Sequence, residues 1–344
     1  MSALDIARWQ FGMTTVFHFI LVPLTIGLAP MVATMQTLWL VTGKKAWLRG
    51  TNFFGKLFLI NFALGVATGI VQEFQFGMAW SEYSKFVGDV FGAPLALEGL
   101  VAFFMESTFL GLWIFGWTRL PKLVHLGCIW MVAVGVNASA YFIVAANSWM
   151  QHPVGATYNP ETRRAELTSI WEVLTNSTTL AAFPHTVFGA WLTGGTFVAA
   201  IGGWWMVRGM RRGDPDALEL AQMFRPITRF GLGVMLVSAV GLAITGDAQA
   251  KLMFEQQPMK MASAESLCPP RPGPVSRCSP SAPTTTANRC STCSRCPTSP
   301  RSSPTAIRTR PSRASPNSRP RPSRSSDRAT TGPTCSSRTG PSAR

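Results

Sequence analysis

The amino-acid sequence predicts an all-α membrane protein, a bundle of about six transmembrane helices followed by a disordered C-terminal tail. Three observations carry this expectation. Of 344 residues, 47% are hydrophobic and only 14% are charged, a balance too apolar for an ordinary water-soluble chain. Stretches such as 124–147 and 230–245 run without Asp, Glu, Lys or Arg, at lengths that approach or match a bilayer crossing. The composition then changes abruptly at residue 268. From there to residue 344 the chain is Ser, Pro, Thr, Arg and Cys with almost no Leu, Ile, Val or Phe, and it cannot bury enough apolar surface to offset the entropy of ordering.

The same division explains the charge. The formal net charge is +15, but fourteen of the 31 Lys and Arg, and only one of the 16 acids (Asp327), lie in 268–344. The tail therefore carries +13 and the first 267 residues only +2, so the body has no electrostatic footprint for nucleic acid. Within the tail, Cys290, Cys293 and Cys296 are spaced as CxxCxxC, but no fourth ligand is spaced to complete a metal site. Such a switch in mid-segment is also what a GC-rich gene read in the wrong frame produces, and the tail is expected to be disordered or frame-shifted. Cys128 is the one cysteine of the body, so no disulfide framework is implied.

The expected spans are 14–40, 54–74, 94–117, 124–147, 181–206 and 227–246, with 75–93 and 148–180 as long connections. Span one follows Met1–Gln10, where Asp5 and Arg8 precede a full-length apolar run rather than the short one of a cleavable signal. Its Pro23 and Pro30 remove backbone donors, which a bundle tolerates when neighbours satisfy the freed carbonyls. Orientation follows from Lys and Arg in the short connections. Lys44, Lys45, Arg49, Lys56, Arg119, Lys122, Arg208, Arg211, Arg212 and Arg225 lie on one side, and Arg8, Lys85, Arg163 and Arg164 on the other. Ten against four places the N-terminus outside a plasma membrane and the odd-numbered connections inside.

Ionisable groups at membrane depth are costly, by about 2.5–3.5 kcal/mol on insertion scales, and are functional candidates by default. His18, between Phe17 and Phe19, and His185, after Pro184, both fall near the outer ends of their spans; each reads either as a helix-packing imidazole or as a metal or haem ligand. His125 and His152 fall at a helix start and in a loop and are poorer candidates. Glu98 and Glu106 share span three. Eight residues is a little over two turns, about 12 Å of rise, which keeps them near one face, one above the other, in the manner of a proton relay. Twelve Trp and fifteen Met do not discriminate, since interface belts and cores use both.

Longer strings carry a resemblance. Phe17-His18-Phe19 leading to Val22-Pro23-Leu24-Thr25, Gly55-Lys56-Leu57-Phe58, Asn61 to Gly69, Glu73-Phe74-Gln75-Phe76-Gly77 and Gly92-Ala93-Pro94-Leu95-Ala96-Leu97-Glu98-Gly99 resemble subunit I of the cytochrome bd quinol oxidases, collinearly from about residue 5 to residue 267. The resemblance implies a terminal respiratory oxidase in a prokaryotic plasma membrane. Quinol is oxidised at the outer face, electrons pass through a low-spin haem b to a high-spin haem b and haem d pair, and dioxygen is reduced to water. It further implies that His18 is an axial ligand at the high-spin site and His185 one axial ligand of the low-spin haem. Glu98 is then the carboxylate near the high-spin site, Glu106 the next member of the proton route, and Ser139 and Asn147 polar residues lining a proton pathway.

Gly246-Asp247 opens the segment matching the family's quinol loop, in which Lys260 and Glu265 would contact the quinol headgroup, hydrogen-bonding it and accepting its protons. The chain thus divides into a haem-binding bundle at 1–246, the start of an outer quinol-binding loop at 247–267, and the tail at 268–344. The family's later Met, Arg and Glu, which complete the haem sites, have no counterpart in the Ser-Pro-Arg sequence. The chain is expected to be truncated, inactive alone and dependent on cytochrome bd subunit II. The alternative is a non-redox, multi-pass proton-coupled transporter or channel using Glu98 and Glu106.

Overall fold

A computed structural model describes residues 2–265. The tail expected at 268–344, with its CxxCxxC, lies outside the described residues. Six helices are long and apolar enough to cross a membrane, one for each expected span, and each exceeds its expected limits on at least one side. They are α1 (Ala3–Thr42), α2 (Lys45–Gly77), a composite of α3 (Ser81–Leu97), a π segment (Glu98–Phe103) and α4 (Phe104–Phe115), then α5 (Lys122–Gln151), α7 (Ser177–Arg212) and α8 (Pro215–Gln256). The shorter elements are strands β1 (Ala156–Asn159) and β2 (Arg164–Leu167) and helices α6 (Ile170–Leu174) and α9 (Pro258–Ala264).

Helix ends follow local chemistry. Ser2 and Asp5 form a reciprocal capping box at the start of α1, satisfying donors that the first turn leaves open. Gly43 and Gly213 end α1 and α7 in the left-handed conformation, at φ 67° and 70°, which glycine adopts without Cβ strain. Only Lys44 and Asp214 then separate these glycines from α2 and α8. Two tight helical hairpins of the same design result, α1/α2 and α7/α8. Pro23 and Pro30 lie within a continuous α1. Beside Pro23, Asn61 of α2 donates to Leu21 O at 2.9 Å and to Thr25 Oγ1 at 2.7 Å, supplying polar partners from a neighbouring helix.

The middle of α1 is the centre of the bundle. Ile26, Leu28, Val32 and Met35 pack in one buried cluster with Phe54 and Phe58 of α2, Leu110 and Trp113 of α4, Ile129 and Val132 of α5, Val198 of α7 and Ile227 of α8. Gly27 allows α1 and α7 to cross closely, since a Cβ there would strike the Ala190 carbonyl. This is the small-residue packing by which helices associate in lipid.

Two expected connections are more ordered than a loop. Helix continues through most of 75–93, broken by a turn at 78–80. In 148–180, α5 runs on to Gln151 and is followed by an antiparallel hairpin in which Ala156 pairs with Leu167 and Asn159 with Arg164. Asp89 of α3 accepts from Leu167 N at 2.7 Å, and Ala165 and Val173 join a second apolar cluster with Val87, Val90, Phe91 and Trp149. The period-two pattern is too short here to stand out from a polar connection. Beyond residue 246, α8 continues through 247–256 and ends at Gln257, which separates it from α9.

Candidate functional site

His18 and His185 lie on different hairpins in closely similar settings. His18 of α1 places Nδ1 3.0 Å from Thr68 Oγ1 of α2, and His185 of α7 places Nδ1 3.1 Å from Thr245 Oγ1 of α8. Each threonine hydroxyl donates within its own helix, Thr68 to Leu64 O at 2.9 Å and Thr245 to Gly241 O at 2.7 Å. A glycine follows each threonine. A Cβ at Gly69 would stand 3.1 Å from His18 Cε1, and one at Gly246 3.2 Å from His185 Cε1, so each ring rests against bare backbone. Neither Nε2 has a hydrogen-bond partner among the described residues.

His125 shows the opposite arrangement. Gln36 Nε2 donates to its Nδ1 at 2.9 Å, its Nε2 donates to Trp113 O at 2.8 Å, and Trp113 Nε1 closes the ring by donating to Gln36 Oε1 at 2.8 Å. All three side chains are buried. Both imidazole nitrogens are used, so no lone pair remains for a metal and the residue is structural. His152 caps α5, where its carbonyl accepts from Asn176 Nδ2 at 2.8 Å.

The two carboxyls of span three both face α5. Ser139 Oγ donates to Glu98 Oε1 at 2.7 Å. One turn earlier on α5, Gly135 lies against Glu106, whose Oε1 is buried with no hydrogen-bond partner among the described residues. A regular α-helix would leave positions eight apart about 80° out of phase. The π segment begins at Glu98 and ends before Glu106. A π turn takes up about one extra residue, which reduces the offset to about 20° and stacks both carboxyls along one neighbour. The sequence spacing foresaw the shared face but not the device that produces it.

The remaining expected residues divide. Ser139 is tied to Glu98, whereas Asn147 is exposed on this chain and has no partner among the described residues. Lys260 of α9 donates to Gln151 Oε1 at 2.8 Å, and Gln257 donates to Gln151 O. Gln256 accepts from Thr178 at 2.6 Å and donates to Ser177 at 2.8 Å. The start of the expected quinol segment is thereby fastened to the end of α5 and the start of α7. Glu265, just after α9, is exposed and not bonded to Lys260. The structure does not bring that pair together.

Thr68, Gly69, Thr245, Gly246, Gly135 and the Gln36–His125–Trp113 ring escaped the sequence reading. The repeated Thr-Gly dipeptide was the available signal for the first four. A single free nitrogen suits an iron already ringed by a macrocycle's four nitrogens, since a bare ion needs three or four protein ligands. Among the described residues no three His, Cys, Asp or Glu side chains form such a set. An apolar recess of about 190 Å³ is lined by Phe17, Ile20, Leu21 and Leu64, together with Thr68, the partner of His18, an apolar surround of the kind haem takes. The residues present fit haem.

Comparison with known proteins agrees in sequence and fold. A family model described as cytochrome bd terminal oxidase subunit I matches residues 6–290. Cytochrome bd ubiquinol oxidase subunit 1 of Bacillus subtilis (strain 168) is 48% identical over 267 residues, covering 78% of this chain and 55% of that protein. Cytochrome bd-II ubiquinol oxidase subunit 1 of Escherichia coli (strain K12) is 45% identical over 276 residues, covering 80% and 52%. The bd oxidase structure from Geobacillus thermodenitrificans superposes with a TM-score of 0.67 at 25% identity, covering 76% of this chain and 60% of that one. The chain thus spans about half the length of the two sequence relatives.

Proposed function

This chain belongs to the cytochrome bd terminal oxidase subunit I family, and from that premise we propose that it works in a prokaryotic cell membrane as part of an oxidase that oxidises quinol and reduces dioxygen to water. Its partners are the second oxidase subunit, quinol, dioxygen and the lipid bilayer, and its N-terminus faces outward by the excess of Lys and Arg on the other side. The observation that carries this reading is the pair of histidines whose Nδ1 is held by threonine while Nε2 stays without a partner.

His185 Nε2 would hold a low-spin haem b, and His18 Nε2 would serve the high-spin haem b and haem d pair. When bound, haem supplies one-electron transfer and a site for dioxygen. The chain's own groups handle protons and position. Glu106 and Glu98, stacked along α5, carry protons through the apolar bundle toward the oxygen-reducing site. Ser139 fixes the Glu98 carboxyl by donating to Oε1. Lys260 and Glu265 bind the quinol headgroup and take up its protons on the outer side, where Gln151 and Gln257 anchor the segment. The further haem ligands that the resemblance implies have no counterpart among the described residues, so turnover requires contributions beyond them.

The test is the visible spectrum of the purified complex. His18→Ala and His185→Ala each remove a distinct haem band and abolish quinol-dependent oxygen uptake. Full-length protein without haem would overturn the proposal in favour of a proton-coupled transporter.

A further inference from the structure

We infer that Thr68-Gly69 and Thr245-Gly246 are positioning pairs that set the tautomer and the ring plane of the two histidines, so that each presents Nε2 as an unprotonated ligand. The inference rests on the haem reading above and assigns a task to the threonine and the glycine beside each histidine.

A threonine hydroxyl has one hydrogen. In both sites a carbonyl of the threonine's own helix stands within reach of that hydrogen, Leu64 O and Gly65 O for Thr68 and Gly241 O for Thr245. A hydroxyl that gives its hydrogen to its own helix can only accept from the imidazole, and Nδ1 is then the protonated ring nitrogen with the lone pair on Nε2. The glycine does the second task. With Cβ positions at Gly69 and Gly246 only 3.1 and 3.2 Å from the Cε1 atoms, an alanine would push the ring out of the plane that the threonine defines. Donation from Nδ1–H also raises the basicity of Nε2, the usual effect of such an outer partner on a metal-bound imidazole.

Two further facts favour a device over coincidence. It occurs twice, in hairpins with the same two-residue connection, and each time the histidine is on the first helix and the Thr-Gly near the far end of the second. His125 in the same bundle is held in the other tautomer, with Gln36 donating to Nδ1 and Nε2 donating to Trp113 O. The fold therefore distinguishes an imidazole kept for packing from two kept with a free donor atom.

The experiment uses the complete oxidase complex purified with Thr68→Val, Thr68→Ser, Thr245→Val and Thr245→Ser, beside His18→Ala and His185→Ala. Haem content and the midpoint potential of each band are measured. Valine keeps the shape and removes the acceptor. Each valine variant is expected to weaken haem retention at its own site by about 10- to 100-fold and to raise the midpoint potential of the haem that remains, because a less basic ligand stabilises ferric iron less. Serine restores both values. A purely structural threonine would reduce yield without moving the potential. Wild-type haem content and potential in both valine variants would overturn the inference. If a valine variant does not assemble, Gly246→Ala decides, since it keeps the hydroxyl and crowds the ring: a shifted His185 band supports the inference and an unshifted one overturns it. Unchanged spectra in the two His→Ala variants would instead overturn the haem reading itself.

Discussion

Gly135 of α5 leaves room for Glu106: a Cβ at that position would stand 2.6 Å from Glu106 Cγ. Gly135→Ala therefore displaces the Glu106 carboxyl or forces α4 and α5 apart. Misplacing a working group by about 1 Å costs up to about 100-fold in rate, so quinol-dependent oxygen uptake is expected to fall about 10- to 100-fold while the bands assigned to His18 and His185 keep their positions. Full activity in this variant would remove Glu106 from the proton route.

Ser139→Ala deletes the donor to Glu98. A net hydrogen bond of about 1 kcal/mol corresponds to roughly a 5-fold slower proton uptake, measured by stopped-flow with a pH dye, and Ser139→Thr restores it. Asn147, exposed on this chain, gives a contrasting expectation. Asn147→Ala is expected to change this rate little in the purified complex, and an equal loss in both variants would place Asn147 in the same path.

The Gln36–His125–Trp113 ring predicts a stability effect without a spectral one. Gln36→Leu leaves His125 Nδ1 and Trp113 Nε1 buried and unsatisfied, at about 1–3 kcal/mol for each group. Thermal unfolding of the purified complex is expected at a lower temperature with an unaltered haem spectrum. A missing haem band would make His125 a ligand and contradict its bonding.

Lys260→Met and Glu265→Gln are expected to raise the KM for quinol by about 10-fold each, the scale of a hydrogen bond to a charged group, with haem bands unchanged. Gln151→Leu frees Lys260 Nζ from its tether and is expected to raise KM by less. If KM stays constant in all three, this end of the bundle is not where the headgroup binds.

How far the sequence speaks for this chain depends on the physics involved. Hydropathy located all six crossing helices, because lipid leaves a spanning segment little alternative to an apolar helix. His18, His185, Glu98 and Glu106 stood out for the same reason, as polar groups where polarity is costly. What stayed hidden depended on relations between distant residues. Nothing around Thr68 marks it as the partner of a residue fifty positions earlier, and a π turn starting at Glu98 has no hydrophobic signature. Lys260 and Glu265 came from the resemblance alone, and nothing in the sequence marks Gln151 as the partner that Lys260 takes from α9.

The two hairpins also bear on how such a subunit is made. His18 meets its Thr68-Gly69 support across a single turn at Gly43-Lys44, and His185 meets Thr245-Gly246 across Gly213-Asp214. Each imidazole thus has its polar support within one pair of consecutive helices. A ribosome delivering this chain to the membrane therefore completes the first imidazole and its support after about seventy residues, long before the second pair exists.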